Sequence, residues 1–226
     1  MKNILLTSSF LLCICTSLLA QHEGKKFISG IAGVNFQNQH SAQQSSQNTY
    51  NISISPELGK FKTNNRAEGF RLNAALSGGK RIFAIVDGEE VRQNGITGAG
   101  GGIGYFWQYY RHFNGKAGIF AGPNVRAQYD YAKTLEFRGQ VDIGEKISRQ
   151  ISLSAGLEAG AYYMLTERWW LLATLGFSTP LSLSYNHDKT ELASGNAGTA
   201  NQAFTYDFKP ALQFPSVGLG LRYVLK

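Results

Sequence analysis

Cysteine occurs twice in the 226 residues, at positions 13 and 15, and nowhere after them. Past residue 20 the chain has no thiol, which excludes disulfides, thiol catalysis and cysteine-based zinc sites there. Charge is scarce as well. Asp, Glu, Lys and Arg make up 16%, against roughly 25% in a soluble domain. The basic residues form no run and no aromatic–basic stripe, so a nucleic-acid footprint is missing and no nucleic-acid partner is expected. Long apolar runs are absent beyond residue 20 and mean hydropathy is −0.20, which excludes a polytopic helical membrane protein. Helical periodicity is nearly absent too. What the chain does have is glycine, 26 residues, well above the usual roughly 7%, and many aromatics. That balance fits a β protein in an unusual solvent.

The first twenty residues read as a secretory signal. Lys2 gives a basic start, an apolar run extends from Ile4 to Ala20, and the polar segment Gln21–Lys26 follows. This is the n-region, h-region and small-residue cleavage pattern, with cleavage expected after Ala20. A membrane anchor would need a longer run. A lipoprotein signal would want small residues where Leu12 and Ile14 precede the cysteines. Removing residues 1–20 discards both cysteines and leaves 21 Lys+Arg against 15 Asp+Glu, a formal +6, in a single domain spanning 21–226.

That domain alternates with period two, the mark of strands with two different faces. Eight runs are predicted: Phe27–Gln37, Thr49–Phe61, Ala67–Ser77, Gly102–Phe113, Lys116–Tyr131, Gln150–Leu165, Arg168–Tyr185, and a last run carrying Val217, Leu219, Leu221, Tyr223 and Leu225. One phase is apolar throughout, as in Ile151, Leu153, Ala155, Leu157, Ala159 and Ala161. The other is small and polar, as in Ser152, Ser154, Gly156, Glu158 and Gly160. Short turns at Lys62–Arg66, Asn114-Gly115 and Thr166-Glu167 alternate with long connections over about 38–48, 78–101, 132–149 and 186–211. The segment before Asp87-Gly88 suggests a hairpin, and a bulge is expected near Pro215.

Short turns alternating with long loops point to an all-β, eight-stranded, antiparallel up-and-down transmembrane β-barrel. Aromatics end the apolar phase on both sides. Trp169, Tyr163, Tyr109 and Tyr223 lie toward the short turns, and Tyr50, Tyr129 and Tyr185 toward the long loops, as expected of two bilayer interfaces. A soluble barrel would instead put Lys and Glu on its outer face.

The segment Ser55-Pro56-Glu57-Leu58-Gly59-Lys60-Phe61, a polar turn, then Ala67-Glu68-Gly69-Phe70 resembles the S-P-x-x-G-x-F … A-x-G hairpin of the outer-membrane β-barrel family common in Bacteroidetes-type bacteria. Phe106-Trp107-Gln108-Tyr109-Tyr110 is similar to its fourth strand, although Gln108 stands where many members have Arg. Gly218-Leu219-Gly220-Leu221-Arg222-Tyr223 is similar to its closing strand. The resemblance implies a porin-like or OmpA/OmpX-like barrel and no catalytic residues.

Five ionisable residues fall in the inward phase: Glu57, Arg71, Arg126, Glu158 and Arg222. They are expected to pair with one another as a structural network that plugs the lumen, so Arg126→Ala should lower stability. The expected location is a bacterial outer membrane with both termini periplasmic. The expected role is to anchor four mobile surface loops for structural or adhesin-like contacts with an unnamed host or surface ligand. The expected lipid partner is the outer membrane, and the protein is expected to be a monomer. A narrow porin-like channel for small solutes is the alternative. An outer-membrane lipid-modifying enzyme is the second, with His187-Asp188 beside Ser184 as its one loop cluster. No catalytic, cofactor-binding or metal-binding residue is assigned, and no cofactor is expected.

Overall fold

The computed structural model describes residues 22–41, 44–86, 89–113, 115–138, 142–192, 199–209 and 217–225. The signal segment, the Asp87-Gly88 turn, Asn114 and the bulge expected near Pro215 lie outside the described residues.

Nine strands account for nearly all of them: β1 Lys26–Ser41, β2 Gln44–Thr63, β3 Arg66–Val86, β4 Glu89–His112, β5 Ala117–Arg138, β6 Asp142–Met164, β7 Trp169–Leu192, β8 Ala200–Phe208 and β9 Val217–Val224. Consecutive strands from β1 to β7 pair antiparallel. The sheet then closes on itself, because β9 pairs both with β7, Trp169 opposite Tyr223, and with β1, Phe27 opposite Val224. Near the short turns closure gives every strand of this cycle a partner on each side, the β1–β9 pairing covering Phe27–Ile31; among the described residues Ala32–Ser41 of β1 pair with β2 alone. β8 stands apart from the cycle. It pairs with β7 over Leu181–Lys189, beyond the part that β9 covers.

Each predicted run matches a strand to within two residues at its short-turn end, but β1 to β7 extend well beyond the runs at the other end. Most of the four connections read as long mobile loops is paired β-structure: β3 and β4 pair up to Val86–Glu89, and β5 and β6 up to Arg138–Asp142. The reason is physical. The period-two signal needs one apolar and one polar face, and beyond Tyr131 and Ile151 both faces turn polar while the backbone ladder continues. Side chains stitch this upper part across strands: Lys133 to Glu145 at 2.6 Å, Lys146 to Asp188 at 3.1 Å and Ser148 to Asp188 at 2.6 Å. The β3–β4 register shifts at Ser77/Gly78. There Gly79 takes φ +136°, and a Cβ at that position would clash with the Asn48 carbonyl oxygen.

The two faces are opposite to those of a soluble β-barrel. Outward positions such as Ile54, Leu58, Leu153 and Leu219 are 53–64% exposed. Among the described residues the main buried core lies inside the ring at its short-turn end. It comprises Phe27, Phe61, Ala67, Phe106, Tyr110, Phe120, Tyr162, Trp170, Leu172 and Val224.

Candidate functional site

The inward phase forms successive layers. The floor is aromatic. The Trp170 ring centre lies 4.9 Å from Tyr162, 5.5 Å from Phe61 and 6.3 Å from Tyr110. The segment before β1 folds beneath it: Gly24 N donates to Phe61 O at 2.9 Å, and Phe61 N donates to Lys25 O at 2.9 Å. These bonds hold the His22 ring edge-on to Trp170 at 5.1 Å. His112, in the inward phase of β4, bonds Tyr162 Oη through Nδ1 and Asn64 O through Nε2 at 3.0 Å.

Burial and the nearby Lys25 and His112 hold the His22 imidazole down at about 4, with Glu167 pulling the other way. In the unfolded chain this imidazole takes up its proton near pH 6.5. In the folded chain it does so only near 4. Stability is therefore highest above pH 6.5, falls as pH drops from 6.5 to 4, and levels off below. Solvent screening at the incompletely buried ring holds the full drop to about 2 kcal/mol. Urea midpoints measured across that window should fall further in the native protein than in His22→Phe, which keeps the packing and lacks the titration.

Above the floor lies the ionic layer. Arg71 bridges two carboxylates: its guanidinium contacts Glu57, with Nε to Oε1 at 2.7 Å, and Glu158, with Nη1 to Oε2 at 2.8 Å. Ser29 Oγ donates to Glu57 Oε2 at 2.6 Å, and Gln108 Nε2 donates to Glu158 Oε1 at 2.9 Å. Arg222 is fully buried. It lies 3.9 Å over the Phe27 ring, donates to Gln108 Oε1 at 2.9 Å and to Tyr110 Oη, and stands 3.6 Å from Glu57. Tyr110 Oη in turn donates to Gln108 Oε1 at 2.5 Å. Two buried carboxylates thus face two buried guanidiniums, with the remaining acceptors met by neutral groups. This is the condition under which buried charge is tolerated.

Four of the five expected network residues meet here, and Arg126 does not. It is half-buried and makes no ion pair among the described residues. The register explains the separation. The row Ser29–Glu57–Arg71–Gly104–Arg126–Ser154 crosses six strands. In a ring of tilted strands such a row climbs as it goes round, so by β5 it has risen above the carboxylates. Arg126→Ala is therefore expected to change urea-unfolding stability by no more than about 0.5 kcal/mol, in contrast to the loss inferred from sequence.

Three members of the layer lie outside the expected ionic network. Ser29, Gln108 and Tyr110 were signalled only by sharing a phase with Phe27 and Phe106. Gln108, read from sequence as a departure from a family pattern, joins Glu158, Tyr110 and Arg222. Above the ionic layer many inward positions are small and uncharged, among them Asn73, Gly102, Gly104, Ser152 and Ser154, with Ser55 Oγ donating to Asn73 Oδ1 at 2.9 Å; Arg126 and Asp130 are charged, and Gln128 Nε2 donates to Asp130 Oδ1 at 2.8 Å. The lumen is thus packed at the short-turn end and lined above mainly by short side chains, with the longer Arg126 and Gln128 among them.

His187, Asp188 and Ser184 do not converge. Asp188 is engaged by Ser148 and Lys146, and His187 alternates with Ser184 and Asp188 along β7, so it occupies the opposite face.

No family model matches the chain, and no curated protein matches it. Among solved structures it is similar to a major outer membrane protein from Thermus thermophilus. That match has 13% sequence identity and a TM-score of 0.41 over 90% of this chain and 100% of the other.

Proposed function

We propose that this chain is an integral protein of a bacterial outer membrane. In this reading it is an eight-stranded barrel in which β8 and β9 are two parts of one closing strand. Its short turns and both termini face the periplasm, and its long hairpins face outward.

One observation carries the reading: the exposed outward face is an apolar band bounded at both ends by aromatics and then by charge. At the lower edge lie Tyr109, Tyr163, Trp169 and Tyr223, with Trp169 and Tyr223 rings 4.9 Å apart. Lys62, Arg66 and Glu68 lie beside this edge, joined by ion pairs, with Arg66 opposite Tyr109 and Glu68 opposite Trp107. At the upper edge lie Phe36, Tyr129, Ile151 and Tyr185, followed by Lys133, Arg149 and Lys189. A strand tilted by about 40° climbs roughly 2.5 Å per residue. The stretch Ile151–Tyr163 therefore spans roughly 30 Å, the thickness of a hydrocarbon core.

The function this geometry supports best is anchoring and presentation. The ring holds three long hairpins, β3–β4, β5–β6 and β7–β8, that continue well past the band as paired strands. They present defined strand surfaces rather than loose loops. The packed floor and the ionic layer stand in the path of any solute, which favours presentation over a channel. Cell fractionation with external proteolysis tests the reading. The protein should sediment with outer membranes, with cleavage confined to hairpin tips. Recovery in the soluble fraction, or cleavage within Ala117–Tyr129, would contradict it.

A further inference from the structure

On β5, β6, β7 and β8 the outward residues stack in cross-strand rows that change character one step at a time. The row Tyr129–Ile151–Tyr185–Phe204 is the aromatic upper edge of the apolar band. The next is Tyr131–Arg149–His187–Gln202, and the one above is Lys133–Ile147–Lys189–Ala200. Acidic side chains appear on this face only one row higher. There Glu145 takes Lys133 at 2.6 Å and Glu191 takes Lys189 at 2.6 Å.

Each lysine is thereby matched by a carboxylate, and Arg149 is not. It is exposed and makes no ion pair among the described residues. Its cross-strand neighbours are Tyr131 and His187, both able to donate hydrogen bonds outward from the same row. The carboxylate nearest in sequence to His187, Asp188, is on the opposite face and bound by Ser148 and Lys146. An unmatched guanidinium flanked by a phenol and an imidazole sits one residue pair above an aromatic membrane edge. At that height a bilayer places its phosphates, and a planar fork of N–H groups suits a phosphate.

We propose that Tyr131, Arg149 and His187 form a docking site for the phosphate of an anionic lipid headgroup in the leaflet that the long hairpins face. The proposal rests on the outer-membrane reading above. The acyl chains of such a lipid lie along the apolar band, with Ile151 and Tyr185 directly beneath the headgroup. The site gives the barrel a preferred lipid neighbour and a fixed height in the bilayer on the β5–β8 side.

Refolding into vesicles of phosphatidylcholine alone, or of phosphatidylcholine mixed with phosphatidylglycerol, tests it. Protease protection of the apolar band is read first. Retained lipid is then read by native mass spectrometry after extraction in mild detergent. The native protein should retain phosphatidylglycerol over phosphatidylcholine by about five-fold, the preference one cationic residue confers at an anionic surface. The double variant Arg149→Gln/His187→Gln should insert equally well and lose that preference. Equal preference in native protein and variant, or none in either, overturns the site while leaving the barrel reading standing. Failure to gain protection in either kind of vesicle overturns the outer-membrane reading, and the site with it.

Discussion

Replacing Arg71 by alanine should cost about 3–5 kcal/mol of folding stability, the range for removing one partner of a buried ion pair. The size follows from the position of Arg71 between two carboxylates. Its guanidinium touches both Glu57 and Glu158, and its side chain is only 12% exposed. Without it Glu158 keeps a single neutral donor, Gln108, and Glu57 keeps Ser29 and the more distant Arg222. Two carboxylates then share a space with too little positive charge. The remedy identifies the cause: adding Glu57→Gln and Glu158→Gln to Arg71→Met should recover most of the loss, because neutral groups of similar shape no longer need the cation. Urea unfolding in detergent micelles measures all three. A loss under about 1 kcal/mol for Arg71→Ala, or no recovery in the triple variant, would show that the ionic layer is not what fixes the lumen.

Trp170→Ala is the second large effect, expected at about 3–5 kcal/mol for a fully buried aromatic in a packed floor. Trp170 touches Tyr162, Phe61, Tyr110 and His22, so truncation leaves a cavity that four rings surround and none can fill. The same variant separates presentation from transport. The floor is the lower of two seals, and the layer of Arg71, Arg222, Glu57 and Glu158 lies above it. Removing the indole should therefore weaken the fold without opening a path. In planar bilayers the native protein and Trp170→Ala should both lack stable conductance steps. Reproducible steps in the native protein would restore the narrow-channel alternative.

The sequence revealed most where the two phases differ most. From Ile151 to Tyr163 the alternation of aliphatic and Gly or Ser residues set both the strand and its facing, and exposed Leu153 and Leu157 agree with it. The tight turn after Phe61 set the local register well enough to put Glu57 opposite Arg71, as found. Two things were not legible. The upper parts of β5, β6 and β7 lost their alternation when both faces became polar, so paired strands read as loops, while the segment before Asp87-Gly88 still suggested a hairpin. Arg126 shared a phase with Glu158, but phase gives only the face. Height within the ring depends on strand tilt and stagger, which no single strand encodes. The floor depends on the same three-dimensional stagger. Phe27, Phe61, Phe120, Tyr162 and Trp170 come from five strands and meet only once the ring is closed.

The absence of cysteine after residue 15 makes the central claim, that the exposed apolar face contacts lipid, open to direct measurement. Single cysteines at Ser152, Leu153, Ser154 and Leu157, each carrying a nitroxide, can be read in vesicles for collision with oxygen and with a water-soluble nickel complex. Leu153 and Leu157 should favour oxygen strongly, while Ser152 and Ser154 should show neither lipid-like oxygen access nor the same mobility. The accessibility should therefore alternate with period two along β6. Leu153 and Leu157 labels that collide freely with the nickel complex, or an accessibility without that alternation, would contradict the account.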